Sequence, residues 1–199
     1  MKLDNLHESI KIADEVRSLS EGTGNALRVA LTDLASCLGN RVKWALIGGL
    51  AVGFHARPRG TQDIDIYLIG DDAIDQIAAL TRDRFKKHRA HALQHLASGV
   101  EVELLTPEFL GLDLGLVSKV IATATVEDLG GIEVPVISRD GLVAAKLNRL
   151  SRQDAADIEA VIRAGGPVDL SQYPLDDKKL AAYKQIEADV SGSEGENAG

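Results

Sequence analysis

Two aspartates two residues apart, Asp63 and Asp65, sit in the stretch Thr61-Gln62-Asp63-Ile64-Asp65-Ile66-Tyr67-Leu68. A strand places residues i and i+2 on one face. Thr61, Asp63, Asp65 and Tyr67 therefore share a polar face, and Gln62, Ile64, Ile66 and Leu68 share a mostly apolar one that suits a core. Two carboxylates this close disfavour each other's ionised form unless a cation lies between them. Oxygen donors of this kind suit Mg2+ or Mn2+, and two such metals can clamp both oxygens of an in-line phosphoryl displacement. A glycine pair, Gly48-Gly49, precedes them where the apolar strand ending in Leu46-Ile47 gives way to a helical segment from Leu50 to Ala56. Glycines there let backbone amides approach phosphate oxygens at a helix N-terminus. No GxxxxGK[ST] is present, so the pattern is not a P-loop. A nucleoside triphosphate held against divalent metal is the chemistry this spacing predicts. Arg57 and Arg59, just before the aspartates, are placed to meet phosphate or acceptor, and Thr61 to order Asp63 through a hydrogen bond.

The elements that must position these residues follow from periodicity. Leu6, Ile10, Ala13 and Val16 predict an amphipathic helix over residues 5–19. Leu27, Leu31, Leu34 and Leu38 predict a second, with Asn25 as its N-cap and Gly39 as its stop. Strands are expected at 43–47, around the aspartates, at 85–89 as an edge, and at 100–105, where Val-Glu-Val-Glu-Leu-Leu alternates before Pro107. Asp71 and Asp72 open a short helix with Ile74, Ile77 and Leu80 inward. The β-branched runs 117–126 and 132–137 flank Glu127-Asp128-Leu129-Gly130-Gly131 and predict a hairpin. Ser138 caps a helix with Leu142, Ala145 and Leu150 inward; helices over 152–164 and 176–189 follow. The fold class is thus α/β (α+β): a small mixed sheet flanked by helices. One domain over 1–189 is expected, with helices at 1–40 before the core, a helical part at 138–189, and a disordered tail at 190–199.

Composition narrows the class. At 199 residues, 45% hydrophobic and 26% charged, the chain suits one soluble domain with a real core. No apolar run is long enough to span a bilayer, and acids near the start argue against a secretory signal, so a cytoplasmic location without membrane contact is expected. A lone cysteine, Cys37, excludes an intrachain disulfide and a cysteine-based zinc site. The net charge of −8 argues against extensive wrapping of nucleic acid, although Arg84, Lys86, Lys87, His88, Arg89 and His91 form a local basic run. His55 is read as a packing histidine. His91 and His95 lie four apart, at helical metal spacing, with His88 nearby, but without a matching acidic partner.

A glycine pair ending a strand, a helix, then a DxD strand resembles the nucleotidyltransferase fold of the DNA polymerase β superfamily. Residues 134–162, VPVISRDGLVAAKLNRLSRQDAADIEAVI, resemble the second half of small bacterial members, including abortive-infection toxin-type nucleotidyltransferases; the matching residues are Lys146, Leu147, Arg152, Asp154 and Asp157. The likeness spans about 44–162. It implies a third carboxylate on a later strand. Strand alternation leaves both Glu101 and Glu103 eligible, and the resemblance favours Glu103, just before Leu104-Leu105; the family more often has Asp there. By the same resemblance Asp63, Asp65 and Glu103 hold a two-metal Mg2+ or Mn2+ site, Gly48, Gly49, Thr61, Arg59 and Lys146 bind the triphosphate, and Asp154 and Asp157 brace Lys146 or Arg152.

The implied activity is transfer of a nucleoside monophosphate from an NTP to an acceptor: the 3′ end of a tRNA, a protein side chain or a small hydroxylated molecule. A toxin role would add an antitoxin partner. The alternative is a non-catalytic NTP- or partner-binding module on the same fold.

Overall fold

A computed structural model describes residues 7–12, 25–56, 60–70 and 72–196, with side chains to 192. Residues 7–12 are helical and Ile10 is buried; the rest of the expected first helix lies outside the described residues, as do Arg57, Arg59 and Asp71.

Helix α1 (Ala26–Leu38) buries the leucines its period places together: Leu27, Leu31, Leu34 and Leu38 are each fully buried. Asn25 holds the N-cap position in a left-handed conformation (φ 64°) and makes no side-chain cap bond, so its contribution is backbone conformation. Strand β1 (Lys43–Leu46) leads into α2 (Gly48–His55) and β2 (Asp63–Ile69). After α3 (Ala73–Thr81), β3 (Phe85–Arg89), β4 (Ala92–His95) and β5 (Glu101–Leu105) form a meander, followed by a single turn, α4 (Pro107–Leu110). Helix α5 (Leu114–Ala122) leads to the hairpin β6 (Thr125–Asp128) and β7 (Glu133–Val136). Helices α6 (Arg139–Arg149), α7 (Arg152–Gly165) and α8 (Asp177–Glu196) close the chain.

One mixed sheet runs in the order β3-β4-β5-β2-β1-β7-β6. Its centre decides the site. β2 pairs antiparallel with β1 and parallel with β5, in a register that sets Asp63 beside Glu101 and Asp65 beside Glu103. Ile64, Ile66, Leu68, Val102 and Leu104 alternate with those acids and are fully buried, so the apolar face locks the register that presents the carboxylates on the other.

Several expectations change. The run 117–126 is not one strand. Asp113 accepts a hydrogen bond from the Leu116 amide at 2.9 Å and caps α5, and Leu116, Val117 and Val120 turn into the core; burial at helical spacing outweighs β-branching. Only Thr125–Asp128 remains extended, and the hairpin stands. Leu150 is not inward: it ends α6 in a left-handed conformation (φ 45°) and is exposed. β4 has no counterpart in the sequence reading, which took His91 to His95 at a helical spacing. Helix α8 continues to Glu196, into the stretch expected to be unstructured, because Val190 extends the buried stripe of Tyr183 and Ile186 by one more turn. No helix among the described residues is long and apolar enough to cross a membrane.

Candidate active site

Gly48 begins α2 with φ +66°, a left-handed conformation that favours glycine. The missing side chain matters more. A Cβ built on Gly48 would lie 1.7 Å from Asp65 Oδ2 and 2.7 Å from Asp65 Cβ, so the glycine is the space the Asp65 carboxylate occupies. The Gly49 amide donates to that carboxylate, and the Ile47 amide donates to the Asp65 carbonyl at 2.9 Å. The β1–α2 junction and β2 are thereby stitched together at the acid.

Asp63, one step along the strand, accepts a hydrogen bond from Thr61 Oγ1 at 2.8 Å, as the sequence suggested. Across the parallel register, Glu103 lies beside Asp65 and shares a side-chain hydrogen bond with it. Burial first, then the charges of Asp63 and Glu103, push the Asp65 pKa up to about 7; the Gly49 amide offsets part of this. Glu101 is turned to the sheet edge instead. It pairs with Arg89 and with His88 Nε2 at 3.3 Å, while Arg89 reaches Glu103 at 3.6 Å.

A cleft of about 630 Å³ opens beside these groups. Gly48, Asp65 and Glu103 line one part, and Leu105, Phe109 and Leu142 another. Of the two eligible glutamates, Glu103 lines the cleft; Asp63 and Thr61 stand one register step behind the lining. Among the described residues no three ligating side chains close on a common point. Glu103 is drawn toward Arg89 in this arrangement. The donor chemistry nonetheless suits a hard divalent cation: carboxylates in neighbouring register positions, one with its pKa raised by burial and then by like charge that a cation would relieve.

Lys146 reaches the cleft, but its ammonium is engaged internally. Nζ donates to Asp154 Oδ1 at 3.2 Å and Asp157 Oδ2 at 2.6 Å, and the side chain is only 10% exposed. Arg149 grips Asp154 with two bonds, Nε to Oδ2 at 2.8 Å and Nη2 to Oδ1 at 3.0 Å. Burial alone would raise the Asp154 pKa, but Arg149, Ser151 and Lys146 outweigh it and hold the carboxyl well below its usual range. The two aspartates thus brace Lys146 and Arg149. Lys179 of α8, which the sequence reading did not single out, lines the same cleft; among the described residues its Nζ pairs only with the exposed Asp176, at 3.1 Å. Tyr67, on the acid-bearing face, has its pKa pushed up to about 12 by burial, so it stays neutral.

The histidines do not converge on a metal. His55 Nε2 lies 2.6 Å from the Ile137 carbonyl and bridges α2 to β7, a packing role. His95 is buried on β4 between Asp33 Oδ2 (3.0 Å) and Ser98 Oγ (2.8 Å). His88 pairs with Glu101, and His91 stacks on Phe109.

The overall arrangement of sheet and helices matches known structures. An antigenic nucleotidyltransferase-like protein from Paracoccidioides brasiliensis superposes with a TM-score of 0.60 at 19% identity, over 84% of this chain and 91% of that one. The chain has a nucleotidyltransferase fold. ANT(2″)-Ia in complex with adenylyl-2″-tobramycin is a more remote neighbour, with a TM-score of 0.45 and 11% identity over 83% of this chain and 97% of that one. No family model matches the sequence, and no curated protein does. On the nucleotidyltransferase fold of this chain, β2 and β5 carry the candidate acids beside the glycines of the β1–α2 junction, and α6 and α8 bring Lys146, Arg149 and Lys179 to the same cleft.

Proposed function

We propose that this protein is a metal-dependent nucleotidyltransferase. It transfers a nucleoside monophosphate from an NTP to an acceptor hydroxyl and releases pyrophosphate. The observation that carries the reading is the placement of Asp65 beside Glu103 on parallel strands, with its carboxylate lodged in the space left by Gly48 and its pKa raised to about 7. A chain that needed these acids only for solubility would let them face water; here one is sequestered at a cost.

Asp63, Asp65 and Glu103 would hold Mg2+ or Mn2+, which supplies charge neutralisation on the triphosphate and lowers the pKa of the acceptor hydroxyl. In the transfer, the acceptor oxygen bonds to the α-phosphorus and the bond to the bridging oxygen of the β-phosphate breaks. The hydroxyl proton leaves to a carboxylate or water, and pyrophosphate carries away the bond pair. The residues of the chain contribute position and charge. Gly48 and Gly49 seat the Asp65 carboxylate at the helix entry, Thr61 steadies Asp63, and Lys179 faces the triphosphate, because Lys146 and Arg149 are committed to the acids of α7. Arg59 enters the reading by its sequence position alone.

The acceptor class in this reading is an RNA end, a protein side chain or a small hydroxylated molecule. The resemblance over residues 134–162 supports a toxin with an antitoxin partner, and the composition supports a cytoplasmic location. The test incubates purified protein with each α-labelled NTP, Mg2+ or Mn2+, and pooled RNA or protein, and induces the same gene in a growing host. Label transfer and growth arrest, both abolished by Asp65→Ala, are expected. Absence of both labelling and NTP binding overturns the proposal. A second reading, an NTP-binding module without turnover, draws on the hold of Arg89 on Glu101 and Glu103. Tight NTP binding without labelling of any acceptor would favour it.

A further inference from the structure

Phe109 is the exposed aromatic of the cleft, whereas Tyr67 is buried: 52% of Phe109 is exposed, although it belongs to a turn anchored by a cap from Thr106 to its own amide. One face of its ring is covered. The imidazole of His91, from the β3–β4 turn, lies parallel to it with centroids 4.0 Å apart and planes inclined by 16°. His91 is held there by its backbone, whose carbonyl accepts from the Leu104 amide of β5 at 2.8 Å. The Nδ1 atom of its ring is buried with no hydrogen-bond partner among the described residues. A buried polar atom left unpaired is uncommon and asks for a compensating use of the group. Here the imidazole serves as a flat support behind Phe109, which lines the cleft that also holds Asp65 and Glu103.

Leu105, Leu110, Leu112, Leu142 and Ala145 make the neighbouring wall apolar, and the acids and Lys179 make the other part polar. A planar, weakly polar ring joined to a polyanion matches that division, and the cleft volume of about 630 Å³ lies within the range of sites for such ligands. We infer that Phe109, backed by His91, is the stacking wall for the base of the donor nucleotide. This rests on the nucleotidyltransferase reading above and adds to it a residue that sets nucleotide affinity. The apolar wall supplies contact area and little edge hydrogen bonding, so the stack accepts all bases, purines more tightly for their larger area.

The test measures Mg2+-dependent binding of ATP, GTP, CTP, UTP and base-free tripolyphosphate by calorimetry, with melting temperatures confirming the fold of each variant. Wild type binds every NTP more tightly than tripolyphosphate. Phe109→Ala and Phe109→Leu weaken NTP binding about tenfold and leave tripolyphosphate unchanged, while Phe109→Trp stays within about twofold of wild type. His91→Ala gives a smaller loss that His91→Phe restores. The inference is overturned if Phe109→Leu binds like wild type, if tripolyphosphate weakens equally, or if only the KM for acceptor rises. Wild type binding NTP and tripolyphosphate alike sinks the stack and leaves the enzyme reading standing. Wild type binding none of these ligands sinks both.

Discussion

Replacing Gly48 with alanine should disable the site and loosen the fold together, and the two effects can be separated. At φ +66° any residue with a Cβ carries a conformational cost of about 1 kcal/mol. The added methyl would also overlap Asp65, 1.7 Å from Oδ2, 2.5 Å from Cγ and 2.7 Å from Cβ. The carboxylate could swing aside, but the Cβ is fixed to β2 and retreats only if the strand shifts between β1 and β5. Overpacking of that kind adds roughly 1–3 kcal/mol, for a total near 3 kcal/mol and a melting-point drop of roughly 10 °C in a chain of this size. Urea denaturation of Gly48→Ala, Gly111→Ala and the double variant Gly48→Ala/Asp65→Gly divides the sum. Gly111, in a left-handed conformation (φ 61°, ψ 33°) with nothing within 4 Å of its added Cβ, reports the backbone cost alone, about 1 kcal/mol. If the collision with the Asp65 side chain is real, removing that side chain together with its Cβ recovers about 1–2 kcal/mol of the Gly48 penalty in the double-variant cycle. Nucleotidyl transfer should fall on the order of a hundredfold from misplacing Asp65. Gly48→Ala matching Gly111→Ala in stability, or a cycle with no coupling, would refute the reasoning.

The other predictions concern charge. Asp65, with its folded pKa raised to about 7, favours folding while protonated; its contribution is complete below about pH 4 and lost as pH rises through 7. In chelator-treated protein, Asp65→Asn should therefore match wild type near pH 4 and exceed it by on the order of 2 kcal/mol at pH 8; parallel stability profiles would contradict this. Asp157→Ala removes the closer partner of a nearly buried ammonium, Lys146 Nζ at 2.6 Å, and should cost about 3–5 kcal/mol in urea unfolding, with Lys146→Met recovering much of it in the double variant. Lys179→Ala should weaken triphosphate binding about tenfold with an unchanged melting point, whereas Lys146→Met should act mainly on stability; the reverse pattern would return the phosphate-binding role to Lys146.

Much of the fold was legible because burial and period agree along β2 and α1. The alternation of Ile64, Ile66 and Leu68 against Asp63 and Asp65 admits one orientation of the strand, and the four leucines of α1 admit one face. Where the two signals conflict, the reading failed. Residues 117–126 carry β-branched side chains, yet the Asp113 cap and the inward spacing of Leu116 and Val120 make most of them a helix. Short β4 was hidden for the opposite reason: its inner positions include His95, a polar residue whose burial is intelligible only once Asp33 and Ser98 are beside it. Spatial partners separated by many residues leave no period to read.

The same distinction governs the site. Alternation named Asp63 and Asp65 but left Glu101 and Glu103 equal, because strand parity is all the sequence offers there. The difference between them is tertiary: the edge strand β3 claims Glu101 through His88 and Arg89, and Glu103 keeps its place beside Asp65 in the cleft. Lys146 shows the converse. Its position in the motif block suggested a free cation, whereas Asp154 and Asp157, read as its braces, neutralise it. The balance of charge along the cleft follows from these placements. Within the lining, Glu103 lies 3.6 Å from Arg89, and Asp65 holds its proton to about pH 7. A crowded carboxylate fixed by a glycine that can be no other residue is a poor device for stability and a suitable one for a ligand that brings its own positive charge. For that reason the metal-dependent transfer explains more of this arrangement than a module without chemistry does. The refinement of Asp65 by Gly48 is a positional demand that binding an NTP through its base and phosphates alone would not impose.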